Sequence, residues 1–352
     1  MLIARAPVRI SFAGGGTDLP AYYERYGGMV VSAAIDKYFY VFLNVGGYEG
    51  LQISSADYHT FYRQGPDAGF IWNGDLALPR TILHQFGLDK GLSVFLASEV
   101  PPGTGLGSSS TVAVAMIKAL SALRGQSLSR KKIAELACTV EIEKMGMPIG
   151  KQDQYAAAFG GLNAITFGRE GVAVEPVKAR PEVVHTLERN ILLFFTGTAR
   201  NSADILSRQR ESSARDEPRV IESLHAIKAM AKETLACLEE GDLTRYGRLL
   251  HESWQRKKQL APGITNPLID ECYEAALSAG AVGGKITGAG GGGFLMVYCE
   301  PPFQEAVTRA LEARGLRRME FRFDYEGARI LVHSRRRDGW RHPVRRSDRP
   351  GE

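Results

Sequence analysis

The run Pro101-Pro102-Gly103-Thr104-Gly105-Leu106-Gly107-Ser108-Ser109-Ser110-Thr111 constrains this chain more than any other stretch. Glycines alternate with other residues, hydroxyl side chains follow, and Val112-Ala113-Val114-Ala115-Met116-Ile117-Lys118-Ala119-Leu120 continues as an apolar, helix-forming segment. A glycine-rich loop entering a helix converges backbone N–H groups on one point, and the positive end of the helix dipole faces that point. Glycine leaves no Cβ between the backbone and a phosphate. Serine hydroxyls there can donate hydrogen bonds or bind Mg²⁺. On the residues alone, a plain glycine turn with a serine cap is the competing reading.

Other nucleotide loops are excluded. The pattern GxxxxGK[ST] occurs nowhere. GxGxxG occurs once, as Gly288-Ala289-Gly290-Gly291-Gly292-Gly293, but late in the chain and ahead of a strand rather than a helix, which is the wrong context for a dinucleotide fold.

At 352 residues the chain is long enough for two domains of ordinary size. No apolar run approaches the roughly 20 residues that span a bilayer, and Met1–Pro7 is strand-like without a signal-peptide layout. Cys138, Cys237, Cys272 and Cys299 lie far apart with no CxxC, which argues against zinc and points to reduced thiols in a cytoplasmic protein. The net charge is +5, of which +4 falls between Arg335 and Glu352, where seven arginines meet Asp338, Asp348 and Glu352. That stretch reads as a basic, disordered tail. The rest is close to neutral and carries no nucleic-acid-binding module, so neither nucleic acid nor membrane is expected as a partner.

Leu2–Phe12 reads as a strand running into Gly14-Gly15-Gly16. Met29–Ile35 and Tyr38–Val45, rich in β-branched and aromatic residues, are expected to form a hairpin joined at Asp36-Lys37. Leu92–Val100 is a strand that delivers the chain to the glycine loop, and Thr111–Leu123 is a helix. Ser129 opens a second helix, with Ile133, Leu136, Ala137 and Val140 on one face. Leu162–Phe167 and Val172–Val177 return to strand. After about residue 180 the pattern becomes a strand at Asn190–Thr196, helices starting at Pro218, Asp242 and Asn266, and a closing strand–helix–strand–strand run from Phe294 to His333. The expected class is α+β in both halves, with a division at 1–180 and 181–334.

Glu141, Glu143 and Asp153 follow the second helix. An acid near a helix end, a Gly/Pro turn and a second acid can bring two carboxylates to one site. Phosphoryl transfer to a hydroxyl uses such groups, one for Mg²⁺ and one for the proton. Solvated helix acids and a capping aspartate would give the same letters. At roughly 100° per residue both glutamates flank the face centred near Ala137 and Val140, so helical geometry does not choose between them.

Three motifs in order decide the family. Ala6-Pro7-Val8-Arg9-Ile10-Ser11-Phe12-Ala13-Gly14-Gly15-Gly16-Thr17-Asp18 resembles the first motif of the GHMP kinases, named for galactokinase, homoserine, mevalonate and phosphomevalonate kinases. Pro101–Thr111 resembles their second, phosphate-binding motif. Lys285-Ile286-Thr287-Gly288-Ala289-Gly290-Gly291-Gly292-Gly293 resembles the third. The resemblance runs from residue 1 to about 333.

It implies an N-terminal domain like the second domain of ribosomal protein S5 and a ferredoxin-like C-terminal domain. It implies ATP on Pro102, Gly103, Gly105, Leu106, Gly107, Ser108, Ser109 and Ser110, with Mg²⁺ on Ser109 and Glu141 (Glu143 in reserve). Asp153 matches the catalytic aspartate, and Arg9 the basic residue that pairs with it and helps neutralise the transferring phosphoryl group. Gly288, Ala289, Gly290 and Gly291 match the third motif. Galactokinases have Glu-His where this chain has Gly15-Gly16, which speaks against galactose. The forms Gly14–Pro20 and Gly150–Ala157 most resemble the bacterial D-glycero-D-manno-heptose 7-phosphate kinase branch, with L-fucose kinases as the nearest rival. The expected substrate is then a small sugar phosphate, held by Gly15, Gly16, Thr17 and Asp18 and, at its phosphate, by Arg200, Asn201 and Ser202 with Lys151 in reserve, in a monomer or homodimer.

Overall fold

The computed structural model describes residues 1–57, 59–66, 74, 76–88, 90–197, 202–215 and 217–334. Its strands are β1 (Leu2–Ala13), β2 (Gly28–Val45), β3 (Leu51–Ser55), β4 (Thr60–Gln64), β5 (Leu92–Ser98), β6 (Leu162–Gly168), β7 (Gly171–Pro176), β8 (Ile191–Phe195), β9 (Gly283–Ile286), β10 (Phe294–Tyr298), β11 (Arg317–Met319) and β12 (Arg329–His333). Its α-helices are α1 (Pro20–Tyr26), α2 (Ala77–Gln85), α3 (Ser108–Leu123), α4 (Arg130–Cys138), α5 (Gln152–Phe159), α6 (Pro181–Asn190), α7 (Ser202–Ala214), α8 (Pro218–Glu240), α9 (Leu243–Lys257), α10 (Pro267–Ser278) and α11 (Gln304–Glu312).

The strands form two sheets. The first is ordered β12-β1-β2-β5-β3-β4, with β6 also on β2 and β7 on β6; the second is β11-β8-β10-β9. Mixed helix and sheet in both halves agrees with the α+β expectation. The last strand does not stay with its neighbours in sequence. Residues of β12 pair with β1 from Leu2↔His333 to Arg5↔Arg329, so the first sheet draws on both ends of the described chain.

One expectation fails. Gly28–Val45 is a single strand of 18 residues, not a hairpin. Its first half pairs with β6 and its second half with β5, while β1 runs beside both. At Asp36-Lys37 the register against β1 jumps from Val8↔Ile35 to Pro7↔Tyr38. A tight hairpin turn needs residues that accept positive φ, and Asp36-Lys37 has no glycine to supply one. The extra residues form a bulge instead, held from outside: Asp36 N–H donates to the Arg322 carbonyl at 2.8 Å, and Arg322 N–H donates to Asp36 Oδ1 at 2.8 Å.

Helix α3 is apolar nearly all round and is buried from Ser110 to Ile117, packed on β1, β2, α4 and α5. It fixes the glycine loop at its own N-terminus relative to the first sheet. The second and third glycine runs also lock together. Thr287 Oγ1 donates to the Thr104 carbonyl at 3.1 Å. Gly105 has φ of +76°, and a Cβ there would lie 2.4 Å from the Thr287 carbonyl oxygen. Gly105→Ala therefore adds left-handed strain to a backbone clash, together about 2–4 kcal/mol. Differential scanning calorimetry should show Tm lowered by ~4 °C or more, at the roughly 2–4 °C per kcal/mol of a 150–250-residue domain. An unchanged Tm would mean that the two loops do not pack as described.

Candidate active site

β1 carries Arg9 into the interior beside the glycine loop, where it is 3% exposed. Its backbone N–H donates to the Leu106 carbonyl at 3.0 Å, and its Nη1 donates to the Gly105 carbonyl at 2.7 Å. The rest of the guanidinium meets Asp153, in the first turn of α5: Nε donates to Oδ1 at 2.8 Å and Nη2 lies 2.6 Å from the same oxygen. Both contacts fall on Oδ1, so Oδ2 is left for another partner. Asp153 also lies against the loop, since a Cβ on Gly107 would meet its carboxylate at 3.1 Å.

Gly107 has φ of +80° and forms the N-cap of α3 without a side-chain cap. The first-turn N–H groups at Ser108–Ser110 therefore face outward without a capping oxygen, the arrangement that binds an anion. The plain serine-capped turn is not what forms. Leu106 contributes backbone only, its side chain being wholly buried in the core.

Glu141 joins the same centre. It is fully buried; Ser110 Oγ donates to Oε1 at 3.1 Å, Ser109 Oγ to Oε1 at 3.3 Å, and Gln154 Nε2 to Oε2 at 2.7 Å. Burial pushes its carboxyl up to about 7, Asp153 adds to this, and the three hydrogen bonds oppose it. Glu143 is exposed and, among the described residues, accepts from Thr139 Oγ1 at 3.4 Å. The two glutamates separate because Thr139–Lys144 is a π-helical segment, with a repeat wider than 3.6 residues. No cluster of three or more His, Cys, Asp and Glu occurs among the described residues. A buried carboxylate beside a serine and a phosphate-ready helix end does suit Mg²⁺, which is held by one or two carboxylates together with phosphate oxygens.

Asp18 follows the Gly14-Gly15-Gly16 turn and is 3% exposed. Gly16 N–H donates to its Oδ1 at 3.0 Å and Gln152 N–H to its Oδ2 at 3.2 Å. Burial raises its carboxyl above the usual range, and nearby Asp153 raises it further. Beside Gly15 there is room: a Cβ would meet only Gln152 Nε2 and Ser11 Oγ, each at 3.8 Å. Ser11 Oγ and Gln152 Oε1 are buried without a hydrogen-bond partner among the described residues, so a hydroxylated ligand would find donors and acceptors waiting. Thr17, expected among the substrate contacts, is wholly buried. Its hydroxyl donates to the Gly14 carbonyl at 2.8 Å and accepts from Met29 N–H at 3.1 Å, so it braces the turn instead. Lys151 Nζ lies over the Tyr23 ring, 5.1 Å from its centroid, and its backbone N–H donates to the Asp18 carbonyl.

Gly288 packs on Gly105, and Gly291 N–H donates to the Ile264 carbonyl at 2.7 Å; Ala289 packs on the core under the second sheet, and Gly290 sits against Ile264. Arg200 and Asn201 lie outside the described residues, as does the basic stretch 335–352. Ser202 opens α7, but its side chain is likewise outside them.

Lys257 and Lys285 also join the site. Lys257 ends α9, is 7% exposed, and donates to the Gly288 carbonyl. Burial and then the Arg9 charge pull its ammonium down to about 8, with Asp18 acting the other way. Lys285 is 4% exposed, donates to the Phe12 carbonyl at 3.5 Å, and is held well below its ordinary range by burial and by the Lys257 and Arg9 charges. Lys285 opens the third motif and Gln152 and Gln154 flank Asp153, so those positions carried a signal; Lys257 reads as an ordinary basic residue in a last helical turn.

The family description "GHMP kinases N terminal domain" matches residues 77–161, and "GHMP kinases C terminal" matches residues 234–316. The chain is 33% identical over 332 residues to the D-glycero-alpha-D-manno-heptose 7-phosphate kinase of Campylobacter jejuni, covering 92% of this chain and 97% of that protein. It is 26% identical over 312 residues to the bifunctional fucokinase/GDP-fucose pyrophosphorylase of Arabidopsis thaliana, where it covers 84% of this chain but only 29% of that protein. Among solved structures, a D-glycero-D-manno-heptose 1-phosphate kinase from "Bacteriodes thetaiotaomicron" superposes with a TM-score of 0.78 at 30% identity, covering 95% of this chain and 100% of that one.

Proposed function

The chain belongs to the GHMP kinases, sugar-kinase relatives that use ATP and an alcohol acceptor, and from that premise we propose that it phosphorylates the anomeric hydroxyl of D-glycero-D-manno-heptose 7-phosphate. The observation that carries this reading is the 33% identity to a heptose 7-phosphate kinase over nearly the whole of both chains. The open space beside Gly15, where galactokinases carry Glu-His, supports it. The product would be a heptose 1,7-bisphosphate, an early step toward nucleotide-activated heptose and surface glycans. The reaction belongs in the cytoplasm, where ATP and sugar phosphates meet, and no described helix is long and apolar enough to cross a membrane. We assign ATP and sugar binding to residues 1–180 and a ferredoxin-like C-terminal domain to residues 181–334, of which the last strand, β12, returns to the first sheet.

Asp153 takes the proton of the anomeric hydroxyl on Oδ2 as the hydroxyl oxygen attacks the terminal phosphorus of ATP, whose bond to the β–γ bridging oxygen breaks and leaves ADP. Arg9 fixes Asp153 through Oδ1 and offers positive charge to the transferring group. The N-terminus of α3 receives the phosphate oxygens through backbone N–H groups. Ser109 and Glu141 would hold Mg²⁺, which when bound supplies charge neutralisation to the β- and γ-phosphates. Asp18, Ser11 and Gln152 hold the sugar hydroxyls. Arg200, Asn201 and Ser202 remain our candidates for the 7-phosphate, with Lys151 in reserve.

The substrate reading is tested by ADP release on a sugar panel. A charge-assisted phosphate contact contributes roughly 2 kcal/mol or more. Heptose 7-phosphate is therefore expected to exceed mannose, galactose and L-fucose by at least ~30-fold in kcat/KM. Fucose or galactose turned over as well as heptose 7-phosphate would sink the substrate assignment and leave the kinase class standing.

A further inference from the structure

Three cations converge behind the glycine loops: Arg9, Lys257 and Lys285, all at least nine-tenths buried. Arg9 is matched by Asp153. Asp18, whose field reaches Lys257, has an oxygen bonded by each of two backbone N–H groups. Lys257 and Lys285 have neither a carboxylate partner nor more than a single carbonyl each among the described residues. An ammonium has three N–H donors, so Lys257 keeps two beyond the one given to Gly288. A buried charge left unmatched is costly. Here the excess is positive and borders the loops that meet at Gly105 and Gly288.

We propose that Lys257 is a phosphate-binding residue of the active site, donating its free N–H groups to a phosphate dianion bound beside the joined glycine runs. This rests on the kinase reading above. The dianion is either the terminal phosphate of the nucleotide or the phosphate already on the acceptor; both present the same oxygens to an ammonium. The bond to Gly288 aims Lys257 and ties α9 to the third motif. Lys285, bonded to Phe12 just before the Gly14 turn, lies near enough for its charge and that of Lys257 to oppose one another.

Lys257→Gln separates charge from scaffold, because its amide can still donate to the Gly288 carbonyl; Lys257→Met, of similar length, serves as a second variant. Binding of AMP-PNP, ADP and inorganic phosphate is measured by calorimetry with Mg²⁺ present, and KM is measured for heptose 7-phosphate and for the unphosphorylated heptose. At least a tenfold loss is expected in one phosphate arm in a variant whose Tm stays within a few degrees of the parent. Loss for AMP-PNP with ADP unchanged identifies the nucleotide's terminal phosphate. Loss for heptose 7-phosphate with the unphosphorylated sugar unchanged identifies the acceptor's. Affinities for AMP-PNP and inorganic phosphate within twofold of the parent, with KM for heptose 7-phosphate also unchanged, would overturn the proposal. So would equal weakening of ADP and the unphosphorylated sugar, the mark of a scaffold role alone. If the parent protein fails to turn over heptose 7-phosphate, the substrate reading falls, while the AMP-PNP and inorganic phosphate arms still decide Lys257.

Discussion

Asp153→Asn is expected to lower kcat by at least ~100-fold and to leave ATP affinity within about threefold. Arg9 places both of its carboxylate-facing N–H groups on Oδ1, which leaves Oδ2 as the atom able to receive a proton. In the asparagine variant, Arg9 will select the amide oxygen, since its donors cannot face an NH₂ group. The amide nitrogen then takes the place of Oδ2 and cannot accept a proton. The nucleotide contacts proposed above come from the backbone at the start of α3, which the change leaves in place. Steady-state kinetics with a coupled ADP assay, together with nucleotide titration of the purified variant, separates the two quantities. A folded variant with near-normal kcat would remove Asp153 from the chemistry.

The second large effect is expected at Glu141. Replacing this carboxylate by glutamine preserves its volume and its bond from Gln154 Nε2 if the amide oxygen faces that way, but removes the charge beside Ser109. Loss of even an outer partner of a metal ligand costs 10–100-fold, so loss of the ligand itself should lower kcat/KM for Mg·ATP by at least ~100-fold. Glu143→Gln should stay within about twofold, because that side chain is exposed and, among the described residues, accepts from Thr139. A Mg²⁺ titration at fixed ATP ranks the variants. The opposite ranking would make Glu143 the ligand.

The loops that bear the chemistry were legible because glycine and hydroxyl residues are constrained by what backbone and phosphate require of each other. The Ser129 cap and the Pro218 and Pro267 helix starts were legible for the same local reason, whereas α3 begins at Ser108, three residues ahead of the expected Thr111. What eluded the sequence depended on partners distant in the chain. The bulge at Asp36-Lys37 exists because Arg322 grips Asp36 from 286 residues away, and no local pattern distinguishes that from a turn. The choice between Glu141 and Glu143 required the turn to be π-helical, whereas an angle of roughly 100° per residue presumes an α-helix. Lys257 became part of the site only through the docking of α9 beneath the third glycine run. The pairing of Arg9 with Asp153 came from family likeness, not from spacing, since 144 positions separate them.

The pairing of β12 with β1 has a consequence for how the molecule is made. Leu2 and His333 are neighbours across the ladder, so one edge of β1 stays open during synthesis until the ribosome has released nearly all of the described chain. Through that interval the strand that carries Arg9 offers its bare backbone to any passing chain, the situation in which nascent sheets mispair. Closure across more than 300 residues is a slow, late search by the entropy of so large a loop. Assembly of the candidate site is thereby coupled to synthesis of Arg329–His333: a chain interrupted before Arg329 would have all three glycine motifs and still lack the strand that seals the one beneath them.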